Sequence, residues 1–246
     1  MLILEGVGKA YPGGLEAVSR VDLAIAPGSF TSIVGPSGCG KSTLLRLIAG
    51  LDRPSAGRIE GRPENEVGLV FQDPTLMPWA DVWSNVYLPL RLAGLPRAAA
   101  APLIDEALAL VGLLDFARAH PRALSGGMRM RAAIARAIVT EPALLLMDEP
   151  FAALDEITRN KLNDDLLRLW RKRGFTAIFV THSVFESVYL STEIAIMTPR
   201  PGRIHSRHRI DGPAVRNREF RTSRLYLDAC RAVSSDLEQA MAESAR

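Results

Sequence analysis

Apolar residues fall along the chain in two patterns, short runs of strand length and longer stretches with helical spacing. The runs rich in β-branched and other apolar residues predict strands at Leu2–Lys9, Val18–Ala26, Phe30–Val34, Val67–Phe71, Ala143–Met147 and Thr176–Val180. Helical spacing predicts helices at Ser42–Ala49, Trp83–Leu92, Ala99–Val111, Met128–Val139 and, near the end of the chain, Leu225–Met241. Strand, glycine-rich turn and helix follow one another at Phe30–Ala49, which favours an α/β fold.

The middle of the chain has a different character. Between residues 74 and 139 there are no β-rich runs, and Pro78, Gly94, Pro96 and Pro121 interrupt the helical stretches. We therefore expect an inserted helical lobe. Because no internal repeat or long linker is present, residues 1–246 are predicted to form one domain. Its expected parts are a core at residues 1–73 and 140–210, a helical subdomain at 74–139 and a C-terminal extension at 211–246.

Composition excludes several classes of protein. The chain has 246 residues with 48% hydrophobic and 23% charged, which excludes disorder, and its formal charge of +3 is too small to imply nucleic acid. Cys39 and Cys230 cannot form a disulfide framework. The longest uncharged stretch, Leu23–Gly40, is broken by glycine and proline, and the residues before Glu5 lack the basic start of a signal peptide. The sequence predicts a soluble, cytoplasmic chain.

A phosphate-binding loop is the strongest motif. Gly35-Pro36-Ser37-Gly38-Cys39-Gly40-Lys41-Ser42 fits the P-loop pattern. Gly38 and Gly40 allow the backbone to curl closely around phosphate oxygens, Lys41 would reach the β and γ phosphates, and Ser42 would ligate Mg²⁺. A glycine-rich turn can match by accident, but this one lies between a predicted strand and a helix whose N-terminus favours an anion.

A pair of carboxylates follows another predicted strand. Asp148 and Glu149 come directly after Leu144–Met147, and ligands of open α/β sheets collect at the carboxyl ends of strands. Asp148 suits Mg²⁺, and Glu149 could polarise the water that attacks the γ-phosphate. Asp-Glu-Pro after a strand could otherwise be an ordinary exposed turn. By itself, His182 after the last strand is more often structural or solvated than functional.

A second anion site distinguishes this chain from other P-loop proteins. Leu124-Ser125-Gly126-Gly127 precedes the helix predicted from Met128, so Ser125 and the glycine amides would lie at a helix N-terminus. One chain needs only one phosphate cradle, so the second site is explained if it caps a nucleotide held by another chain.

In these motifs the sequence resembles the ATP-binding cassette (ABC) family of transport ATPases over about residues 2–210. The matching segments, in the family's order, are Tyr11 (the adenine-stacking aromatic), Gly35 to Thr43 (Walker A), Gln72 (the Q-loop), Leu124–Gly127 (the signature), Asp148 and Glu149 (Walker B), Ala153-Leu154-Asp155 (the D-loop) and His182 (the switch histidine). The resemblance implies a P-loop NTPase core with a mainly parallel sheet, an N-terminal antiparallel β subdomain and an inserted α-helical subdomain.

Finer matches resemble the nitrate/sulfonate/taurine branch of bacterial importers. They are Leu76-Met77-Pro78-Trp79 with Val82, Asn85 and Val86, Asp148–Asp155 with Thr158-Arg159, and Pro199–Ile204. Met128 is common in that branch, whereas Met130 stands where glutamine is commoner, which puts in doubt a partner contact at that position.

The resemblance also implies a mechanism. Two copies would assemble head to tail around two ATP molecules. The residues implied for one chain are Glu149, His182, Gln72 and Lys41 for catalysis, Tyr11 and Gly35, Pro36, Ser37, Gly38, Cys39, Gly40, Lys41, Ser42 and Thr43 for ATP, and Ser42, Gln72 and Asp148 for Mg²⁺. Ser125, Gly126 and Gly127 of the other chain would cap the nucleotide.

The implied partners are separate transmembrane permease subunits and a solute-binding protein, with the chain peripheral on the cytoplasmic face of the inner membrane. Met77, Pro78 and Trp79 would help to form a groove for a short helix of the membrane subunit, unless Met77 and Trp79 are core residues of the helical lobe. The sequence does not identify the solute.

Three other functions are considered. Eight arginines between Arg200 and Arg224 could indicate a nucleic-acid-associated protein, but aromatic residues are few there, so a solvated basic surface or a contact with acidic membrane subunits or phospholipid is expected instead, and no nucleic-acid partner. A small-molecule kinase would leave Leu124–Gly127 without a purpose. An export or lipid-transport ATPase would keep the fold and change only the direction of transport.

Overall fold

The chain forms two compact units in a computed structural model that describes residues 1–63, 66–213 and 215–243. One unit comprises residues 1–64 and 176–246, and the other comprises residues 65–175. The strands are β1 (Leu2–Tyr11), β2 (Leu15–Ile25), β3 (Phe30–Val34), β4 (Ala56–Glu60), β5 (Val67–Val70), β6 (Leu144–Asp148), β7 (Thr176–Thr181), β8 (Glu193–Met197) and β9 (Ile204–Arg209). The helices are α1 (Lys41–Ala49), α2 (Val82–Leu92), α3 (Arg97–Leu110), α4 (Gly126–Ile138), α5 (Glu156–Arg173), α6 (Val184–Leu190), α7 (Arg218–Thr222) and α8 (Arg224–Glu243).

The first unit contains two sheets. The N-terminal sheet is antiparallel with the order β2-β1-β4. The other sheet has the strand order β7-β3-β8-β9, in which β3 pairs in parallel with both neighbours and only β9 is antiparallel. Every residue of β3 is buried, which explains why this strand is a continuous β-rich run without polar alternation.

The second unit combines a pair of parallel strands with four helices. β5 pairs with β6, and α4 contacts α2, α3, α5 and β5. The helix α5 is rich in charge but buries Leu162, Leu166 and Leu169, which are spaced as i, i+4 and i+7 on one face. In the described part of the chain, no helix has the length and apolar character needed to cross a membrane.

The predicted fold class is confirmed, because the chain is α/β with an antiparallel N-terminal sheet and otherwise mostly parallel strands. The sequence patterns missed β4, α5, α6, β8, β9 and α7. The proposed internal boundaries at residues 73, 139 and 210 stay predictions.

The C-terminal extension is part of the first unit, but its helix α8 does not pack with the predicted face. α8 contacts α6, α7, β8 and β9. The expected stripe of Leu225, Ala229, Ala232 or Val233, Leu237 and Ala240 is wrong at its first position, because Leu225 is 53% exposed. The buried residues are Tyr226, Cys230, Val233 and Ala240. The phenol of Tyr226 donates a hydrogen bond to the carbonyl of Phe185 at 2.9 Å, which turns this aromatic residue inward in place of Leu225.

Candidate functional site

The predicted phosphate loop joins β3 to α1 and curls as its glycines allow. Gly38 has φ +75° and Gly40 has φ +106°, conformations that other residues rarely adopt. A Cβ on Gly40 would lie 2.5 Å from the carbonyl oxygen of Ala17, so only glycine fits between β2 and the loop. The backbone therefore forms a tight concave turn at the N-terminus of α1, which is the geometry that binds phosphate.

Lys41 is held inside this turn. Its side chain is buried, and Nζ donates hydrogen bonds to the carbonyl oxygens of Gly35 at 2.8 Å and Pro36 at 2.9 Å. A buried ammonium group needs such acceptors, since desolvation without them is costly. The positive charge is thereby fixed within the turn, where a polyphosphate would lie.

The register of the parallel strands brings other residues to the edge where this loop begins. Val34 of β3 is paired with Thr181 of β7, so Gly35 and His182 each follow directly at the same edge. The exposed His182 lies in a fixed turn, because Thr181 Oγ1 accepts from Ser183 N at 3.0 Å and donates to the buried carboxylate of Glu186 at 2.7 Å. Two predicted site residues of the first unit are thus at one edge.

A loop after β8, residues 198–203, also contacts the phosphate loop. The guanidinium of Arg200 donates to the carbonyl oxygen of Gly38 from Nε at 3.1 Å and from Nη2 at 2.8 Å. Sequence reasoning used this segment as a branch marker and counted Arg200 in the arginine-rich stretch, and it missed this contact. No local pattern in the sequence identifies it, because the two residues are 162 positions apart.

Tyr11, the predicted adenine-stacking residue, ends β1 in the first unit. Its hydroxyl donates to Asp52 Oδ2 at 3.3 Å, and Lys9 Nζ lies 5.1 Å from the centre of its ring. Lys9 also donates to Asp52 Oδ1 at 2.6 Å, and this bond lowers the pKa of the Asp52 carboxyl. The ring is therefore oriented by a charged pair at the end of the strand.

In the second unit, three predicted residues lie at or just after the ends of two paired strands. Val70 of β5 is opposite Met147 of β6. Gln72 and Glu149 therefore each lie two residues beyond that pair, at one edge of the sheet. Asp148 lies between Met147 and Glu149 in the chain. Glu149 has φ +46°, a conformation that costs energy for a residue with a Cβ. Strain of this kind is typical of functional positions.

The segment after Gln72 is fastened by two side chains. The guanidinium of Arg136 donates to the carbonyls of Pro74 and Thr75 at 2.9 Å, and burial lowers its pKa. Asn85 is fully buried, accepts from Met77 N at 2.7 Å and donates to the carbonyls of Met77, Ala80 and Asp81 at 3.0–3.2 Å.

Between these two anchors Trp79 is 76% exposed. The alternative that Trp79 belongs to the lobe core is therefore wrong. The segment presents a large aromatic side chain on a backbone that is held in place.

The signature segment opens α4. The exposed Ser125 is the N-cap, and its Oγ accepts from Met128 N at 3.2 Å. A Cβ on Gly127 would lie 2.7 Å from Thr158 Cγ2, so this glycine allows α4 and α5 to approach. Met130 is buried, which makes it a core residue of the unit.

The D-loop residue Asp155 caps α5. Its Oδ1 accepts from Thr158 N at 3.0 Å, and this backbone hydrogen bond lowers the pKa of the carboxyl. The same threonine that touches the signature glycine is therefore held by the D-loop aspartate. Signature and D-loop form one connected structure within the unit.

The arginine-rich stretch is largely engaged within this chain. The guanidinium of Arg216 donates to the carbonyls of Val188 and Tyr189 at the end of α6, and Arg207 pairs with Glu193 and with the carbonyl of Ala24. Arg200, Arg209, Arg221 and Arg224 also contact other groups of the chain. The contacts of Arg200, Arg207 and Arg216 are made to groups distant in sequence, whereas Arg209 and Arg224 are exposed and pair with near neighbours.

The cradle between a parallel strand and a helix, with carboxylates after a second strand, defines a P-loop nucleotide hydrolase. The sequence profile of the ABC transporter family matches residues 18–152. The aliphatic sulfonates import ATP-binding protein of Bacillus subtilis (strain 168) is 47% identical over 207 residues, covering 82% of this chain and 80% of that protein. The taurine import ATP-binding protein of Pseudomonas entomophila (strain L48) is 43% identical over 218 residues, covering 86% and 84%.

Among solved structures, a dimeric ATP-binding cassette in a post-hydrolysis state with ADP and Pi has a TM-score of 0.76 and 31% identity. The match covers 87% of this chain and all of that one. The chain therefore belongs to the ABC transporter family, as an ATP-binding subunit with ATP hydrolase activity.

Proposed function

We propose that this chain powers a bacterial ABC importer of the nitrate/sulfonate/taurine type, coupling ATP binding and hydrolysis in a head-to-tail homodimer to solute uptake through separate membrane subunits. The observation that carries the proposal is the presence of two helix N-termini, each with a glycine-rich start suited to an anion, in different surroundings. One, at α1, has the buried Lys41, and the other, at α4, has the exposed Ser125 as its cap. The import names of the relatives support the direction of transport.

The first unit fits the triphosphate of ATP. The backbone of Gly35, Pro36, Ser37, Gly38, Cys39, Gly40, Lys41, Ser42 and Thr43 would surround the phosphates, and Tyr11 would stack on adenine. The close approach of Gly40 to the carbonyl of Ala17 supports this assignment, because it keeps the loop in its tight turn. Lys41 would exchange its carbonyl partners for phosphate oxygens, because a charged acceptor makes the stronger hydrogen bond. His182 would contact the γ-phosphate from the neighbouring strand end.

The residues assigned to Mg²⁺ and to water carry oxygen ligands of the type that this ion prefers. Ser42, Gln72 and Asp148 would hold Mg²⁺, which when bound neutralises charge on the phosphate oxygens. Glu149 would accept a proton from the attacking water. Its position directly after β6, next to Asp148, supports the role of general base, and its left-handed backbone is strained in the way that is typical of functional positions.

The dimer follows from the second anion site. Ser125, Gly126 and Gly127 of one copy would donate to the γ-phosphate held by the other. Since charge-assisted hydrogen bonds contribute roughly 1.5–3 kcal/mol each, loss of the γ-phosphate would favour the open dimer. The difference in affinity between the two states, and not bond cleavage itself, would drive the movement.

Contact with the membrane subunits is assigned to the segment around Trp79. We expect Met77, Pro78 and Trp79 to help form the groove for a short helix of a permease subunit. A separate solute-binding protein would deliver the solute, and the chain would lie on the cytoplasmic face of the inner membrane. Exposure of Trp79 on a fixed backbone supports this role, because a rigid aromatic residue loses little conformational entropy on binding.

Complementation between two defective chains tests the head-to-tail arrangement. Both chains carry Glu149→Gln to stop turnover, one also carries Lys41→Ala, and the other also carries Ser125→Glu. Neither chain by itself should dimerise when ATP is added, because each homodimer would have two damaged sites. Their mixture should form a dimer with one ATP, since one site combines Lys41 from one chain with Ser125 from the other.

Analytical ultracentrifugation with radiolabelled ATP measures both the dimer and its nucleotide content. The control mixes the same chains with Lys41→Ala present in both, which leaves no intact site. If Glu149→Gln alone stays monomeric with ATP, or if the mixture forms no more ATP-bound dimer than its components, the head-to-tail arrangement is wrong.

A further inference from the structure

The loop at residues 198–203 is attached to the first unit at several points. Gly202 N donates to the carbonyl of Ala17 at 3.0 Å, and Ser19 N donates to the carbonyl of Gly202 at 3.0 Å. A Cβ on Gly202 would lie 2.1 Å from the carbonyl oxygen of Cys39, so the loop presses directly on the phosphate cradle. At its tip, the guanidinium of Arg200 makes two hydrogen bonds to the carbonyl oxygen of Gly38.

These two bonds determine the orientation of one peptide group in the cradle. In a trans peptide, the carbonyl of Gly38 and the N–H of Cys39 point in opposite directions. Arg200 binds the carbonyl of Gly38, and on the opposite side of the same peptide the N–H of Cys39 donates to the carbonyl of Pro36, within the loop, at 3.3 Å. A cation on the carbonyl also polarises the amide, which makes its N–H a stronger donor to an anion.

We propose that Arg200 is a positioning residue for the phosphate cradle, which keeps the Gly38–Cys39 peptide turned so that the N–H of Cys39 faces the bound triphosphate. This inference rests on the proposed role of the cradle in ATP binding. A preoriented amide lowers the entropy that ATP must overcome on binding, so Arg200 acts on affinity more than on the chemical step.

The test compares three variants by steady-state ATP hydrolysis. Arg200→Ala should raise the KM for ATP about tenfold with a much smaller change in kcat, as expected for loss of a hydrogen bond to a charged group. Arg200→Lys, which can make one of the two bonds, should recover part of the affinity. Arg203→Ala is the matched control, because Arg200 and Arg203 carry the same charge and both line a cavity of about 550 Å³ at this loop. Its KM should stay near the wild-type value.

A second readout does not depend on activity. Cys39 is buried in the cradle at 1% exposure. With Cys230→Ser as background, Cys39 is the only thiol, and we expect Arg200→Ala to increase its rate of labelling by a maleimide in the absence of ATP. Arg203→Ala should not.

Equal effects of the Arg200 and Arg203 variants would show a general attraction of ATP to positive charge and overturn the inference. So would a loss of kcat at unchanged KM, or unchanged Cys39 labelling. The proposed function fails separately, through Lys41→Ala: if that variant binds ATP normally, the cradle is not the nucleotide site, whatever Arg200 does.

Discussion

Glu149 is the residue whose backbone most clearly suggests chemistry. It follows β6 directly and has φ +46°, so its conformation is maintained at a cost of order 1–3 kcal/mol. We expect Glu149→Gln to keep ATP binding, to lower phosphate release at least about 10²-fold and to favour an ATP-bound dimer. The amide retains the shape of the side chain but cannot accept the proton of water. A phosphate-release assay together with nucleotide binding measures both effects.

Glu141 provides a matched control in the same unit. It is a glutamate with φ +51°, and its carboxylate forms a salt bridge with Arg173. Unlike Glu149, it follows a helix and not a strand. Glu141→Gln should hydrolyse ATP at nearly the wild-type rate. Phosphate release by Glu149→Gln as fast as that of this control would remove Glu149 as the general base.

At this scale, sequence reasoning located residues that belong to short contiguous motifs. The phosphate loop, Ser125 and the Asp148–Glu149 pair were assigned from neighbouring residues alone. Arg200 and Asn85 were missed as anchors, because their partners are backbone groups whose positions depend on the folded chain. A hydrogen bond to a carbonyl leaves no residue-type signature in the sequence.

Among the elements, α8 has a titratable group that links its packing to pH. Burial raises the pKa of the Cys230 thiol to about 11 from an ordinary 9.0, and it also raises that of Tyr226. The unfolded chain releases these protons at lower pH than the folded chain. Their contribution to the free energy of unfolding is therefore fully present below pH 9, and it is lost as the pH rises through the pKa of the folded state. For Cys230 alone the loss approaches about 2–3 kcal/mol at pH 11.

Urea denaturation between pH 7 and 11 measures this loss. Cys230→Ser removes the titrating thiol, so the variant should show a smaller fall in unfolding free energy above pH 9, while the two proteins keep a constant difference between pH 7 and 8. Parallel curves up to pH 11 would show that Cys230 does not carry the pH dependence.

Elements were predictable where burial imposes a simple pattern. The buried strands β3, β6 and β7 are nearly continuous apolar runs, and all were predicted. α5 was missed because its stripe of leucines is spread among many charged residues. β9 was missed because none of its positions is fully buried and the stretch is rich in arginine and histidine. The face of α8 was misjudged at Leu225, since the hydrogen bond of Tyr226 to Phe185 determines the rotation of the helix.

For the whole molecule, the proposed coupling to membrane subunits can be tested at Trp79. Trp79 is 76% exposed, so Trp79→Asp should change the unfolding free energy by no more than about 0.5 kcal/mol. We expect the isolated variant to hydrolyse ATP normally and the complete transporter to lose uptake. The reason is that a carboxylate would be buried without a partner in the contact with the permease helix. Uptake by proteoliposomes, compared with ATPase activity of the free chain, separates the two.

Leu114→Asp is the control, because Leu114 is an apolar residue of the same unit that is 46% exposed and lies outside the proposed groove. It introduces the same charge on the same unit, and uptake should continue. Loss of uptake in both variants would indicate a general effect of the added charge. Normal uptake by the Trp79 variant in an intact complex would exclude this segment from the groove. One outcome supports the proposed contact: the Trp79 variant loses uptake but keeps ATP hydrolysis, and the Leu114 variant keeps both. The Trp79 segment would then couple the nucleotide state of this chain to the membrane subunits.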